Sequence, residues 1–184
     1  MKKLSVRRIA AIGILAAMVY VTSAFLQIPI PTAIGSTRLH LGNVMCLLSG
    51  MLLGPFYGGL AAGIGSMIFD LLDPIYITSA PFTFAFKFLM AAVCGMISRH
   101  RSGKKRWCML GAFAGAISYV ILYLGKSFVE SYFVLGIPFD TVWLTVTQKG
   151  LVSTVNGIIA ATVSVPLFFA LRSALRKANL FPIH

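Results

Sequence analysis

Long apolar stretches bounded by short basic clusters restrict the folds open to this chain. Four stretches, residues 9–30, 77–98, 107–127 and 146–171, each approach or exceed the roughly 20 apolar residues that cross a bilayer as one helix. With 58% hydrophobic and only 11% charged residues, the chain would make a poor water-exposed surface. The composition therefore predicts an integral membrane protein. The net charge of +12 lies largely in clusters that flank the stretches, which argues against a nucleic-acid site.

The segment 41–72 decides how many times the chain crosses the membrane. It is too long for one upright transmembrane helix and short for two full-length ones. Gly54-Pro55 interrupts it near its middle. Because short cytoplasmic loops collect Lys and Arg, the basic clusters belong on one side of the bilayer. They all reach one side only if 41–72 forms a hairpin of two short helices. The residues in these clusters are Lys2, Lys3, Arg7, Arg8, Arg99, Arg101, Lys104, Lys105, Arg106, Arg172, Arg176 and Lys177.

We therefore predict a single all-α domain over residues 1–184, an integral membrane bundle of six transmembrane helices with both termini in the cytoplasm. The expected spans are 5–29, 41–54, 56–72, 77–98, 107–127 and 146–171. On this topology the loops after the first, third and fifth spans face outward. These outward loops hold Arg38, His40, Asp73, Glu130 and Asp140.

Three lysines interrupt the apolar helices themselves. Lys87, Lys126 and Lys149 fall in the outward halves of the fourth, fifth and sixth predicted spans. An ionisable group in hydrocarbon is costly unless it faces a polar cavity or a partner, so such groups are functional candidates. The alternative is that these lysines reach the lipid headgroups with their long side chains. The shared depth of the three favours a common cavity.

Further polar and aromatic residues recur at helical spacing beside these lysines. One stripe on the sixth span comprises Thr145, Lys149, Ser153 and Asn156. A stripe on the fifth span comprises Tyr119, Tyr123, Lys126 and Glu130. Aromatic walls with a few polar groups suit a small organic ligand. The tyrosines also have the alternative interpretation of anchors at the membrane interface.

The loop after the first span carries Arg38 and His40, and Asn43 follows it at the start of the second span. These residues are either a pocket wall or a solvated loop with a helix cap. Ile28-Pro29-Ile30-Pro31 stiffens the approach to the loop, as a pocket wall would need. Asp70 is a ligand contact or, more in keeping with a buried charge, the salt-bridge partner of one of the cations. Asp73-Pro74 is expected to be a plain turn.

Motifs for catalysis, metal binding or nucleotide binding are absent from the sequence, so no catalytic residue, metal site or cofactor is expected. Two other classes of protein remain open. A self-sufficient channel or secondary transporter would move its substrate without any ATPase. A membrane enzyme would need a nucleophile beside a base, for which Ser153 and Lys149 are the candidate pair.

Four motifs in order resemble those of a known family. They are Arg38-Leu-His-Leu-Gly-Asn-Val, Leu53-Gly-Pro-Phe-Tyr-Gly-Gly, Asp70-Leu-Leu-Asp-Pro and Pro81-Phe-Thr-Phe-Ala-Phe-Lys87-Phe. Together with the six short spans, they resemble the substrate-binding S components of energy-coupling factor (ECF) vitamin transporters, with the riboflavin-type branch nearest. The resemblance implies a six-helix bundle that captures a vitamin or precursor from outside, through the loop after the first span and spans four to six.

The resemblance also implies partners and a location. The partners are a transmembrane coupling subunit and two cytoplasmic ATPases, and the location is the bacterial plasma membrane, which the chain crosses several times. In the family the first helix presents Ala-x-x-x-Ala to the coupling subunit, and this chain lacks that pair. Its nearest equivalent is Gly13-x-x-x-Ala17, with Ala10 and Ala24 on the same face. These small residues have the alternative role of packing within the chain.

Two kinds of substrate fit the sequence. Arg38, Lys87 and Lys149 against Asp70 leave a cationic excess, which suits an acid such as pantothenate. A neutral heterocycle such as riboflavin, pyridoxine or a hydroxymethylpyrimidine would instead stack on Tyr119, Tyr123 or Phe84.

Overall fold

The structure, a computed structural model, describes residues 6–100 and 104–178. Within these ranges the chain forms six α-helices and one two-stranded antiparallel sheet. The elements are α1 (Val6–Phe25), β1 (Gln27–Pro31), β2 (Ser36–His40), α2 (Gly42–Leu53), α3 (Pro55–Leu71), α4 (Ala80–Arg99), α5 (Lys105–Val129) and α6 (Phe139–Lys177). A 3₁₀ turn, Ile77–Ser79, precedes α4, and a π-helical turn, Glu130–Val134, follows α5. Three of the basic residues, Lys2, Lys3 and Arg101, lie outside the described residues, and so does residue 5, where the first predicted span begins.

Four of the described helical segments are long and apolar enough to cross a membrane: Val6–Phe25, Ile77–Arg99, Lys105–Val134 and Phe139–Lys177. The chain is thus a mostly helical membrane protein. The helices α2 and α3 are shorter, with 12 and 17 residues. Gly54 separates them with a φ of 86°, a left-handed value that favours glycine, and Pro55 starts α3, where its missing N–H costs no hydrogen bond.

Helix α2 lies at the centre of the bundle. Eleven of its twelve residues are buried, and it packs against α1, α3, α4 and α6. Glycines make this packing possible. A Cβ atom added at Gly50 of α2 would lie 2.2 Å from the backbone oxygen of Ala91 in α4, and one added at Gly58 of α3 would lie 2.4 Å from the oxygen of Ser49. The backbones therefore approach more closely than any side chain would allow.

The helices bring basic residues together at one end of the bundle. The Arg8 guanidinium lies 4.7 Å from the ring centre of Tyr57, and Arg99 donates a hydrogen bond of 3.4 Å to the carbonyl of Leu52. The beginning of α1, the junction between α2 and α3, and the end of α4 therefore meet. The opposite end carries the described acidic ion-pair partners, Asp73 and Glu130. This separation is what a cytoplasmic basic end would produce.

A β-hairpin replaces the loop expected after the first helix. Helix α1 ends at Phe25 rather than at residue 29, and the strands pair from Gln27 with His40 to Pro31 with Ser36. Alternating prolines keep β1 extended, which suits the edge of a small sheet. Gly35, with a φ of 74°, is in the left-handed conformation of the connecting turn. The hairpin therefore gives the segment that carries Arg38 and His40 a fixed shape.

Candidate functional site

A cavity of about 340 Å³ lies at the end of the bundle where α4 begins and α5 ends. Its walls come from the β-hairpin, the ends of α1 and α3, and helices α4, α5 and α6. Ten of the twelve residues predicted to bind substrate line it: Arg38, His40, Asp70, Lys87, Tyr119, Tyr123, Lys126, Lys149, Ser153 and Asn156. Arg38 and Asn156 thereby lie side by side in the cavity wall, although they are 118 positions apart in the chain.

Two of the predicted residues lie outside the cavity wall. The Phe84 ring packs instead against Phe88 and over Gly63 of α3. The rings that α4 presents to the cavity belong to Phe82 and Phe86. Asn43 is buried behind the wall, where its side-chain oxygen accepts a hydrogen bond from Lys87. Asn43 makes no side-chain cap for α2, so the alternative interpretation of Asn43 as a helix cap is wrong.

Lys87 is almost fully buried, with 2% of its surface exposed. Its ammonium donates to Asn43 and lies 3.6 Å from the ring centre of Tyr119. Both contacts stabilise a cation that burial would otherwise penalise. The Lys87 side chain therefore links α4 to α2 and to α5 at the floor of the cavity.

Two tyrosines form an aromatic wall on α5. The rings of Tyr119 and Tyr123 stack with centres 5.8 Å apart and an angle of 12° between their planes. The hydroxyl of Tyr123 lies 3.3 Å from that of Thr37 in β2. Because Lys87 lies over one ring and Thr37 holds the other, this wall has a fixed orientation. A flat ligand ring could stack beside it.

Arg38 is held by partners on three sides. It is paired with Asp73, and its guanidinium lies 3.8 Å from the ring centre of Tyr76 and 4.8 Å from that of Phe69. Its Nη1 atom is buried and has no hydrogen-bond partner among the residues that the structure describes.

The acidic residues exchange the roles expected from the sequence. Asp73, expected in a plain turn, forms the ion pair with Arg38 and also accepts a hydrogen bond from the backbone of Ile75. Asp70, expected to pair with a cation, lines the cavity with 7% exposure and has no ion pair within 4.0 Å in the described ranges. Asp70 lies near the end of α3, and Asp73 lies three residues later in the turn. Only Asp73 forms an ion pair with Arg38 of the hairpin.

Lys126 and Lys149 each donate a hydrogen bond to a serine hydroxyl on a neighbouring segment. Lys126 pairs with Glu130, four residues later on the chain, and donates a hydrogen bond of 2.8 Å to the Ser79 hydroxyl. Lys149 donates a hydrogen bond of 3.1 Å to the Ser127 hydroxyl of α5. These contacts join the turn before α4 and the first third of α6 to the end of α5, around the cavity.

Helix α6 holds the hairpin against the cavity through two side-chain amides. The Gln148 oxygen accepts a hydrogen bond of 2.8 Å from the backbone N–H of Ala33, in the turn. The Asn156 amide donates to the carbonyl of Arg38, at 3.4 Å. The Ser36 hydroxyl and the Tyr76 hydroxyl, 2.8 Å apart, add a contact with the turn before α4. The hairpin is therefore fastened on both sides of the cavity.

His40, at the end of β2, is neutral in this environment. Burial, together with the nearby positive charges of Lys87 and Arg38, lowers the pKa of His40 to about 3. The imidazole therefore adds no charge to the cavity at neutral pH. Its Nδ1 atom is buried without a partner among the described residues.

Several cavity residues were missed in the sequence, among them Thr83 and Phe86 of α4, and Tyr76 and Ser79 before it. Ser79, Thr83 and Lys87 recur at a spacing of four, so the position of Lys87 could have identified this face. Tyr76 lies in the turn between α3 and α4, where no periodicity operates. Across residues 6–100 and 104–178, no group of three or more His, Cys, Asp or Glu side chains could hold a metal ion.

The small residues of α1 lie away from this cavity. Ala10, Gly13 and Ala17 are exposed, and Ala24 is half-buried. A Cβ atom added at Gly13 would meet nothing within 4 Å. Ala10, Gly13 and Ala17 therefore form an open face on α1 that no described part of the chain covers.

Comparison with known proteins yields three similarities. The model of the family described as "ECF-type riboflavin transporter, S component" matches residues 3–173. A Pyrococcus woesei chain described as "Uncharacterized protein in gap 3'region" is 33% identical over 111 residues, which are 60% of this chain and 72% of the relative. A solved structure described as "Structure and mechanism of the S component of a bacterial ECF transporter" has a TM-score of 0.69 and 19% identity, and the match covers 92% of this chain and 97% of that one.

Proposed function

Because the chain belongs to the family of ECF-type riboflavin transporter S components, we propose that its cavity captures a vitamin or vitamin precursor from outside the cell. S components are substrate-binding transport subunits for vitamin uptake rather than enzymes, and they work with a transmembrane coupling subunit and ATPase components. The chain would thus be the binding subunit of an ATP-driven importer in the bacterial plasma membrane, crossing it six times with cytoplasmic termini.

The observation that carries this proposal is the composition of the cavity. Four cationic side chains, a stacked pair of tyrosines and several hydroxyls converge on about 340 Å³ of space within a membrane bundle. A cavity of this size and chemistry suits a small organic molecule with both a ring and polar groups. The proposed substrate contacts are the ten predicted residues that line the cavity, with Asn43 supporting Lys87 from behind.

The open face of α1, formed by Ala10, Gly13 and Ala17, is the proposed contact with the coupling subunit. Small residues let two helices in lipid approach closely, and nothing described in this chain fills the space over Gly13. Ala24 lies nearer the hairpin and is half-buried, so its contribution to this contact would be smaller. Two ATPase subunits would complete the proposed complex on the cytoplasmic side.

The proposal is tested by uptake into proteoliposomes with a mixture of labelled riboflavin, pantothenate, pyridoxine and hydroxymethylpyrimidine. We expect uptake only when the coupling subunit, both ATPases and ATP are present. Gly13→Leu should reduce this uptake about tenfold or more, because a large side chain would separate the two helices. Gly125→Leu is the matched control, since Gly125 also faces open space but lies on α5.

Two outcomes would contradict the proposal. Accumulation of a substrate by the chain alone would identify a self-sufficient transporter. Equal uptake by the wild type, Gly13→Leu and Gly125→Leu proteins would remove α1 as the contact with the coupling subunit.

A further inference from the structure

Two arginines lie together at the basic end of the bundle without a carboxylate. We propose that Arg8 and Arg99 bind the phosphate of an anionic phospholipid, whose acyl chains lie on the exposed apolar surface beside them. On the proposed topology this is a lipid of the inner leaflet. The site lies at the opposite end of the bundle from the cavity, so the inference goes beyond the proposed function and does not depend on which vitamin the chain binds.

The junction between α2 and α3 positions both guanidinium groups. Arg99 lies over Gly54, because a Cβ atom added there would lie 2.4 Å from the Arg99 Cζ atom. Its Nη2 atom donates a hydrogen bond of 3.4 Å to the carbonyl of Leu52, near the end of α2. The Arg8 Cζ atom lies 4.7 Å from the ring centre of Tyr57, near the start of α3. Arg8 is also the charged neighbour that acts electrostatically on Arg99. The two side chains therefore reach the same junction from α1 and α4.

No acidic side chain of this protein neutralises the pair. The chain has only four acidic residues, and all of them lie toward the other end of the bundle: Asp70, Asp73, Glu130 and Asp140. The described partners of the two arginines, the Leu52 carbonyl and the Tyr57 ring, are uncharged. In the part of the chain that the structure describes, Arg8 and Arg99 are thus two like charges with no ion pair. An anion bound between them would offset their repulsion.

The chemistry of the pair favours a phosphate group. A guanidinium carries five N–H donors in one plane, and it binds phosphate oxygens through two parallel hydrogen bonds. Arg99 makes one described hydrogen bond, and the described contact of Arg8 is with a ring, so most of these donors are left for a ligand. Arg99 is exposed and Arg8 is half-buried, so a ligand can reach both groups.

The surface beside the arginines is apolar and exposed. Phe56, at the start of α3, is 59% exposed, and Ile9, next to Arg8 on α1, is 56% exposed. Met96, three residues before Arg99 on α4, is 65% exposed. Cationic groups beside exposed apolar side chains match a phospholipid, whose phosphate lies at the headgroup level and whose chains lie in the hydrocarbon. A soluble phosphate would use the arginines alone, so the apolar neighbours favour a lipid.

The test measures which lipids the purified, full-length protein retains. Native mass spectrometry, after incubation with equal amounts of phosphatidylglycerol and phosphatidylcholine that carry the same acyl chains, gives the ratio of the two bound lipids. We expect the wild type to retain phosphatidylglycerol in preference. Arg8→Gln with Arg99→Gln should reduce this preference about tenfold or more, because two charges beside the lipid phosphate are lost. Arg8→Gln alone should reduce it in part, and it leaves Arg99 in place over Gly54.

Lys105→Gln with Arg106→Gln is the matched control, because it removes two positive charges from the start of α5, where both side chains are exposed. We expect its lipid ratio to equal that of the wild type. An equal reduction in both double variants would overturn the inference, since it would show diffuse attraction to the basic end. Equal retention of the two lipids by the wild type would also overturn it. Displacement of phosphatidylglycerol by equimolar inorganic phosphate would instead identify a soluble anion as the ligand. Loss of the coupling subunit from Arg8→Gln with Arg99→Gln, at an unchanged lipid ratio, would assign the pair to a carboxylate of that subunit.

Discussion

Asn43→Ala is expected to lower the free energy of unfolding by about 3 kcal/mol, because it leaves the buried Lys87 ammonium without its hydrogen-bond acceptor. The Tyr119 ring would remain as a partner, but a π face cannot replace an oxygen in direct contact. Lys87→Met is expected to cost less, about 2 kcal/mol, since it leaves an uncharged amide unsatisfied rather than a cation. Unfolding of the detergent-solubilised variants, followed by circular dichroism, measures both effects.

The double variant Asn43→Leu with Lys87→Met is the decisive control. Replacing both polar partners with apolar side chains of similar size removes the unsatisfied groups, so most of the lost stability should return, to within about 1 kcal/mol of the wild type. A double variant whose loss equals the sum of the losses in Lys87→Met and Asn43→Leu would show that the two side chains act independently. The link described here between α2 and α4 would then be wrong.

Gly50→Ala is expected to have an effect of similar size, for a steric reason. The added methyl group would lie 2.2 Å from the backbone oxygen of Ala91, so α2 and α4 would have to move apart. Such overpacking costs about 3 kcal/mol, which exceeds the gain of up to about 1 kcal/mol from replacing a helical glycine with alanine. The melting temperature in detergent, measured by scanning fluorimetry, should fall clearly.

Gly125→Ala provides the matched comparison for Gly50→Ala. Gly125 also lies inside a helix, but an added Cβ atom would meet nothing within 4 Å. Its melting temperature should therefore stay equal to that of the wild type or rise. If Gly50→Ala melted no lower than Gly125→Ala, the close approach of α2 and α4 would be contradicted.

The features that the sequence predicted well depend on strong local or membrane constraints. The cost of charge in hydrocarbon identified Lys87, Lys126 and Lys149, and the structure brings all three to one cavity. The chemistry of proline identified the break near Gly54, where α2 ends and α3 begins. The cost of charge in hydrocarbon and the restricted backbone of proline each act on a single residue. Both effects can therefore be predicted without knowing which helices lie nearby.

The features that the sequence missed depend on contacts between distant segments. Asp70 and Asp73 are three residues apart, and only the path of the β-hairpin determines which of them meets Arg38. Phe84 and Phe86 are both aromatic residues of α4, and only the rotation of that helix decides which ring faces the cavity. The hairpin itself was missed because the alternating prolines of β1 were read as a stiff loop rather than a strand.

The central claim, that the cavity beneath the hairpin holds a small molecule, is tested most directly by native mass spectrometry of the purified protein. A variant with the cavity filled, Ser153→Phe, is the control, because Ser153 lines the cavity and is buried. We predict that the wild type retains a small organic molecule after gentle release from detergent, and that Ser153→Phe retains bound lipids but not this molecule. A wild-type protein that holds no small molecule, even after incubation with the four candidate ligands, would contradict the account.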